Sequence, residues 1–437
     1  MMAGDRSASG AGLGASGALC MITTVFLFQT LLENFFYKAS YFDEAIAALF
    51  LGYFLLDLLM SAEIRMEDLL ICFFAAVVAA AGLYGSFRFG SQGAKAAIII
   101  DLVSHLKFAC LFLGVSAFCR VNRVDYYSVI RLPVLLAKGY LAVMFVFGVL
   151  NLVVDLGMYA EIRYGLRVYS FIFGTPGIVT NTVLFIIALL LMECAVKPGK
   201  MNRIWFAMSE ALLIMVIKSR SLILAMIFAA LYVSLIVEKK HNLKLRSALI
   251  LAAAGVIGYP QYQKYFVNGV KVNAGRAPRL LFLEGGIQLF KDYFPFGTGF
   301  GTFGSSTAAK YYSDLYVMLE FDTVEGMSPE DPRFLNDTFW PMIFAQLGLF
   351  GTIAYILLLF GILGRLYRRA KDSGSSYIRL AALLFAVNVL VSSIQSNYPG
   401  NNSMCMLTFL VTMMPFAVRE CGKGSAAAGR SEAVNGY

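Results

Sequence analysis

GIVTNTVLFIIALLLMECAV, residues Gly177 to Val196, is twenty residues long and has one charged side chain, Glu193. At a rise of about 1.5 Å per residue it is long enough, as a helix, to cross about 30 Å of hydrocarbon. Comparable apolar stretches lie at about 17–37, 44–60, 69–85, 97–119, 132–158, 203–217, 220–237, 246–260, 338–363, 378–396 and 402–418, which makes twelve expected spans. Only 14% of the 437 residues are charged and 59% are hydrophobic. A soluble domain carries about 25% charged residues, so the expected fold is an all-α polytopic membrane protein.

The formal net charge of +9 does not indicate nucleic acid, because the basic residues sit in short runs between apolar blocks. Arg120, Arg123 and Arg131 follow span four. Lys197, Lys200 and Arg203 follow span six. Lys239, Lys240, Lys244 and Arg246 follow span eight, and Arg365, Arg368, Arg369 and Lys371 follow span ten. With twelve spans all four runs fall on one face, which the positive-inside rule makes cytoplasmic, together with both termini. The expected organisation is a disordered cytoplasmic segment 1–16, spans one to nine over 17–260, and a long extracytoplasmic loop over 261–337 between spans nine and ten. Spans ten to twelve follow over 338–418, then a cytoplasmic tail over 419–437. The seven cysteines lack zinc-ligand or CxxC spacing, and neither a metal nor another cofactor is expected.

Positive charge on the outer face runs against this bias. Arg163 and Arg167 lie in the fifth-to-sixth connection. Arg220 opens span eight, and Arg276 and Arg279 begin the long loop. Guanidinium recognises phosphate oxygens in a bidentate fashion, so these arginines are candidates for a pocket holding a phosphate-bearing lipid; the alternative for each is snorkelling to ordinary headgroups. The first part of the loop is basic and the second acidic, from Asp314 to Asp337, with the acids placed to meet sugar hydroxyls or simply solvated. Pro278 suits a first helical turn, with Leu280, Leu281, Ile287 and Phe290 expected to form an apolar face on the membrane. Gly299-Phe300-Gly301-Thr302-Phe303-Gly304 fits a dinucleotide fingerprint only literally, lacking a preceding strand, and is expected to be a flexible aromatic turn. Asp101, His105 and Glu210 are ionisable residues inside spans, which suit a proton relay or a paired polar contact.

Two segments resemble the superfamily of O-antigen polymerases and ligases of bacterial envelope polysaccharide assembly. One is Lys218-Ser219-Arg220-Ser221 leading into an apolar helix. The other runs from Arg279 through Leu289-Phe290-Lys291-Asp292 and Pro295-Phe296-Gly297-Thr298-Gly299-Phe300-Gly301 to Gln346-Leu347-Gly348-Leu349-Phe350-Gly351. Arg167 to Phe173 followed by Pro176 is a weaker third match. The resemblance implies a metal-independent glycosyltransferase of the bacterial inner membrane. Its partner would be a polyprenyl diphosphate-linked oligosaccharide, with membrane lipid and, in the cell, a chain-length regulator and a flippase. Arg220 and Arg279 would hold the diphosphate, with Arg167, Arg163 and Arg276 assisting. Where ligases carry His-Asn, this chain reads Asn336-Asp337-Thr338, which favours a polymerase with Asp337 as the base. Asp is also a common helix N-cap, which is the competing role for Asp337. A ligase, and a transporter or lipid-linked sugar flippase dependent on Asp101, His105 or Glu210, are the alternative readings.

Overall fold

The computed structural model describes residues 3–61, 64–197, 199, 202–238, 259 and 278–434. The expected span at 246–260, the first part of the long loop and Arg276 therefore lie outside the described residues, apart from Tyr259. The main helices are α1 (Ala3–Glu33), α2 (Phe42–Ser61), α3 (Met66–Phe89), α4 (Lys95–Val121), α5 (Tyr126–Val153), α6 (Pro176–Val196), α7 (Arg203–Met215) and α8 (Ser219–Tyr232). After the undescribed segment come α9 (Pro278–Asp292), α10 (Trp340–Asp372), α11 (Ser376–Gln395) and α12 (Asn402–Val434). Among the described residues nine helices are long and apolar enough to cross a membrane. The protein is thus a helical, multi-pass membrane-type chain.

Several expectations change. The helix α1 begins at Ala3, inside the stretch expected to be disordered, and α12 continues to Val434 through the expected tail. The seventh expected span is a helix of 13 residues, about 20 Å long at 1.5 Å per residue and too short to cross alone. It turns at Ile217, whose φ is 50°, into α8. A small antiparallel hairpin, β1 (Tyr159–Arg163) and β2 (Leu166–Tyr169), interrupts the otherwise helical fold between α5 and α6.

α6 is the hub of the bundle. It is buried on nearly all sides, from Val179 to Glu193, and packs on α5, α7, α11 and α12. A helix apolar all round belongs in a protein interior or a membrane, and here it is enclosed by its neighbours. The loop before α10 forms a second, smaller core around Phe282, Leu289, Phe303, Tyr316, Phe321 and Leu335. α9 turns Phe282, Gly285, Gly286 and Leu289 inward against that core and α10, whereas Ile287 is exposed. The face predicted to rest on the membrane is therefore not the packing face.

The run Pro295–Gly304 is the largest correction. From Gly297 onward it is a buried plug wedged between α3, α4 and α10, and its Gly299–Gly304 part is not the flexible turn expected. α10 is broken at Gly348 (φ 62°, ψ −159°), and the carbonyls freed there are taken up by the plug. Thr298 N donates to Ala345 O at 2.9 Å, Gly299 N to Gln346 O at 2.9 Å, and Leu349 N returns a bond to Pro295 O at 2.8 Å. The helices α3 and α4 complete the seat: Phe300 N donates to Ser86 Oγ at 2.9 Å and Gly301 N to Asp101 Oδ2 at 2.6 Å. Irregular backbone at membrane depth persists only where its polar groups are satisfied in this way.

Candidate functional site

A polar cavity of about 430 Å³ opens beside the plug. It is built from chain segments distant in sequence: the α1–α2 connection, the first turns of α4, the short helix Ser306–Tyr311, the approach to α10, and the α11–α12 connection. Asp337 stands in its wall. Its Oδ2 lies 3.5 Å from Arg279 Nη2. Burial pushes the Asp337 carboxyl above the usual aspartate range, and the Arg279 guanidinium only partly offsets this. The N-cap of α10 is Phe339, with no side-chain capping bond, so Asp337 does not have the capping role considered for it.

The cavity floor contains a buried ion-pair cluster. Lys107 Nζ of α4 meets Asp43 Oδ2 at 2.5 Å and Glu44 Oε1 at 2.8 Å, while Gln29 Nε2 donates to Asp43 Oδ1 at 3.2 Å. Glu33 is held by Asn402 Nδ2 at 2.7 Å. Asp101 lines the same cavity, but its carboxylate is engaged with Gly301 N, and its carbonyl meets His105 Nδ1 at 2.8 Å. Asp101 is thus an anchor for the plug. Carboxylates, asparagines and serines dominate the lining, a donor and acceptor set suited to hydroxyl-rich ligands. No group of three His, Cys, Asp or Glu able to hold a metal stands among the described residues.

Breaking the Lys107 pair should be costly, because Asp43 is fully buried. Lys107→Met leaves a buried carboxylate uncompensated, a loss of about 3–5 kcal/mol. The expected result is a lowered unfolding temperature in detergent that Asp43→Leu, added to Lys107→Met, recovers. A single variant as stable as wild type would remove this ion pair from the account.

Among the described residues, the arginines expected on the outer face do not converge on one pocket. Arg279 is the one that meets Asp337. Arg220 sits where α8 packs on α11, bonded to Asn181 and to Asn388 Oδ1 at 3.3 Å. Its guanidinium lies 5.2 Å from the Tyr398 ring centroid, and Asn388 Nδ2 donates to Tyr398 Oη at 2.6 Å. Tyr398 belongs to the α11–α12 connection whose Asn397 and Asn401 line the cavity, so Arg220 reaches the cavity only through that loop. Arg163 pairs with Glu161 at 2.8 Å. Burial pushes the Glu161 carboxyl up, but Lys218 and Arg163 together hold it below the usual range. Arg167 Nη1 donates to Asn151 O at 3.0 Å and lies 3.9 Å from Asp155. Arg167 thus holds the hairpin against the end of α5, and Lys218, which shares Glu161 with Arg163, ties it to the α7–α8 turn.

Sequence reasoning passed over Glu33, Asp43 and Glu44. The available signal was the adjacent acidic pair at the start of an apolar span with a lysine, Lys107, inside another. Comparison with protein-family models and with curated proteins finds no match for this chain.

Proposed function

We propose that this protein is a bacterial inner-membrane polysaccharide polymerase that joins polyprenyl diphosphate-linked oligosaccharide repeat units on the outer face. The observation that carries this reading is Asp337 in the wall of a polar cavity of about 430 Å³, with the Arg279 guanidinium 3.5 Å from its carboxylate. The cavity admits the non-reducing end of an acceptor glycan, whose hydroxyls meet Glu33, Glu44 and Asn401. Asp337 takes the proton from the attacking hydroxyl. The new glycosidic C–O bond forms as the bond from the sugar to the diphosphate oxygen breaks. The electron pair leaves on that oxygen, and Arg279, a fixed cation, stabilises the developing charge. Arg220 positions the Asn397–Asn401 loop through Tyr398.

The topology taken with this reading keeps the termini cytoplasmic and the residue 261–337 loop outside, with the 13-residue α7 reaching the outer end together with the turn at Ile217 rather than as a full-length span. Two groupings support it. Lys218 pairs with Glu161, which brings the α7–α8 turn to the same end as the α5–α6 hairpin. The cavity likewise draws on the connections assigned to the outer face.

Purified protein supplied with polyprenyl diphosphate-linked repeat units should give a ladder of longer carrier-linked glycans. A product released from the carrier onto another acceptor would indicate a ligase. No product of either kind from folded protein given its own repeat unit would sink the reading. A transporter or flippase is the second reading, favoured by the ionisable Lys107, Asp43 and Glu44 within the bundle. Flux across proteoliposomes that disappears in Asp43→Asn protein would select it.

A further inference from the structure

A second group of arginines collects at the opposite end of the bundle. Arg65 is the residue that N-caps α3, and Arg120 lies in the last turn of α4. Arg365 and Arg369 lie in the last turns of α10. Around them stand the acids Glu67, Asp68 and Asp372, one fewer than the arginines. Arg120 Nη1 is bonded to the buried Asp68 at 2.9 Å. Arg369 lies with its guanidinium 5.0 Å from the Phe112 ring centroid and one nitrogen 2.7 Å from Ser116 Oγ. Arg365 is 6% exposed, its Nη1 is buried without a hydrogen-bond acceptor, and its nearest acid, Glu67, is 4.0 Å from its Nε.

A cavity of about 370 Å³ opens among Arg65, Glu67, Arg120, Arg369 and Asp372, with Pro415 and Phe416 of α12 as an apolar wall. We propose that it binds a phosphate-bearing anion, in the bilayer the headgroup of an anionic phospholipid. Three guanidinium groups face the cavity, and only Arg120 is satisfied by an acid at hydrogen-bond distance. Guanidinium forks match phosphate oxygens, and the fork geometry adds specificity that ammonium groups lack. The aromatic and proline wall gives the first carbons of an acyl chain an apolar surface. Simple snorkelling would leave every arginine long and exposed; here Arg369, stacked on Phe112 and bonded to Ser116, is packed into the helix end. The site is remote from the cavity that holds Asp337 and independent of the chemistry proposed there.

Native mass spectrometry of the full-length chain in detergent, with equal amounts of phosphatidylglycerol and phosphatidylcholine, tests this. Wild type should retain phosphatidylglycerol preferentially. Arg65→Gln/Arg369→Gln should retain about tenfold less, the loss of roughly one charge-assisted contact. Arg333→Gln, a control on the exposed outer loop, should match wild type. If the double variant fails to elute as folded protein, Arg65→Gln alone, at an exposed position, carries the test with a several-fold loss. Inorganic phosphate that raises the unfolding temperature of wild type but not of the arginine variants, without lipid preference, would keep the anion site and assign it to free phosphate. Equal retention of the two lipids with no phosphate effect, or retention unchanged in the arginine variants, would overturn the proposal.

Discussion

Polymerisation by Asp337→Asn protein is expected to fall about 10²–10⁴-fold, the range that a positioned proton acceptor contributes, while the protein still folds. The second half follows from the direction of the pKa. Burial raises the Asp337 carboxyl above its unfolded value. A raised acid contributes stability below the ordinary carboxylate range and loses it as pH rises through the folded value. Above the raised folded value the ionised side chain is therefore a burden on folding, which asparagine removes. For activity the sign is opposite: the base works as the carboxylate and fails as pH drops through the raised folded value. The acid limb of the rate profile should accordingly lie above the ordinary aspartate range. Arg279→Gln should move that limb further upward, since Arg279 is the group that lowers it. Glycan ladders timed across pH for the three proteins read both effects. Wild-type rates in Asp337→Asn would shift the role to Glu44 or Glu33, which line the same cavity.

Gly299→Ala should be the most destabilising small substitution in the plug. A Cβ there would sit 2.1 Å from Ser86 N and 2.4 Å from Ser86 Oγ, at a φ of +94°. The left-handed backbone disfavours a side chain by about 1–2 kcal/mol. Overpacking against a fixed helix backbone adds about 1–3 kcal/mol, and the bonds from Phe300 N to Ser86 Oγ and Gly301 N to Asp101 are placed at risk. The total is a large share of a typical stability of about 5–15 kcal/mol. Gly139→Ala is the control, because a Cβ there meets nothing within 4 Å and alanine favours the helix. The expected outcome is a lowered unfolding temperature and poor yield for Gly299→Ala, with Gly139→Ala at or above wild type. An unfolding temperature for Gly299→Ala equal to that of wild type would mean that the plug can be displaced without cost.

Much of the bundle could be read along the chain because hydropathy is a local property. Eleven of the twelve expected apolar stretches fall on described helices, from Gly14–Glu33 to Asn402–Val418, and the twelfth lies outside the described residues. The error at α7 came from the same source. Leu212, Leu213 and their neighbours are apolar because they pack on α5 and α6, and composition does not distinguish burial in protein from burial in lipid. Glycine spacing misled in the plug. Gly299 and Gly301 looked like freedom of motion, whereas each permits close approach of backbone to Ser86 or Ala97.

The sequence by itself determined that the chain is helical and membrane-type and where its apolar helices run. Each of these rests on residues close together in the chain. The tertiary structure decided which charged groups meet. Asp43 reaches Lys107 across 64 positions, Asn402 reaches Glu33 across 369, and Arg220 reaches Asn388 across 168. In a low-dielectric interior a charged group must find its partner wherever helix packing places it. For that reason Arg163, Arg167, Arg220 and Arg279 divided among separate partners, and the cavity is lined by acids from α1 and α2 that the sequence pattern alone left unmarked.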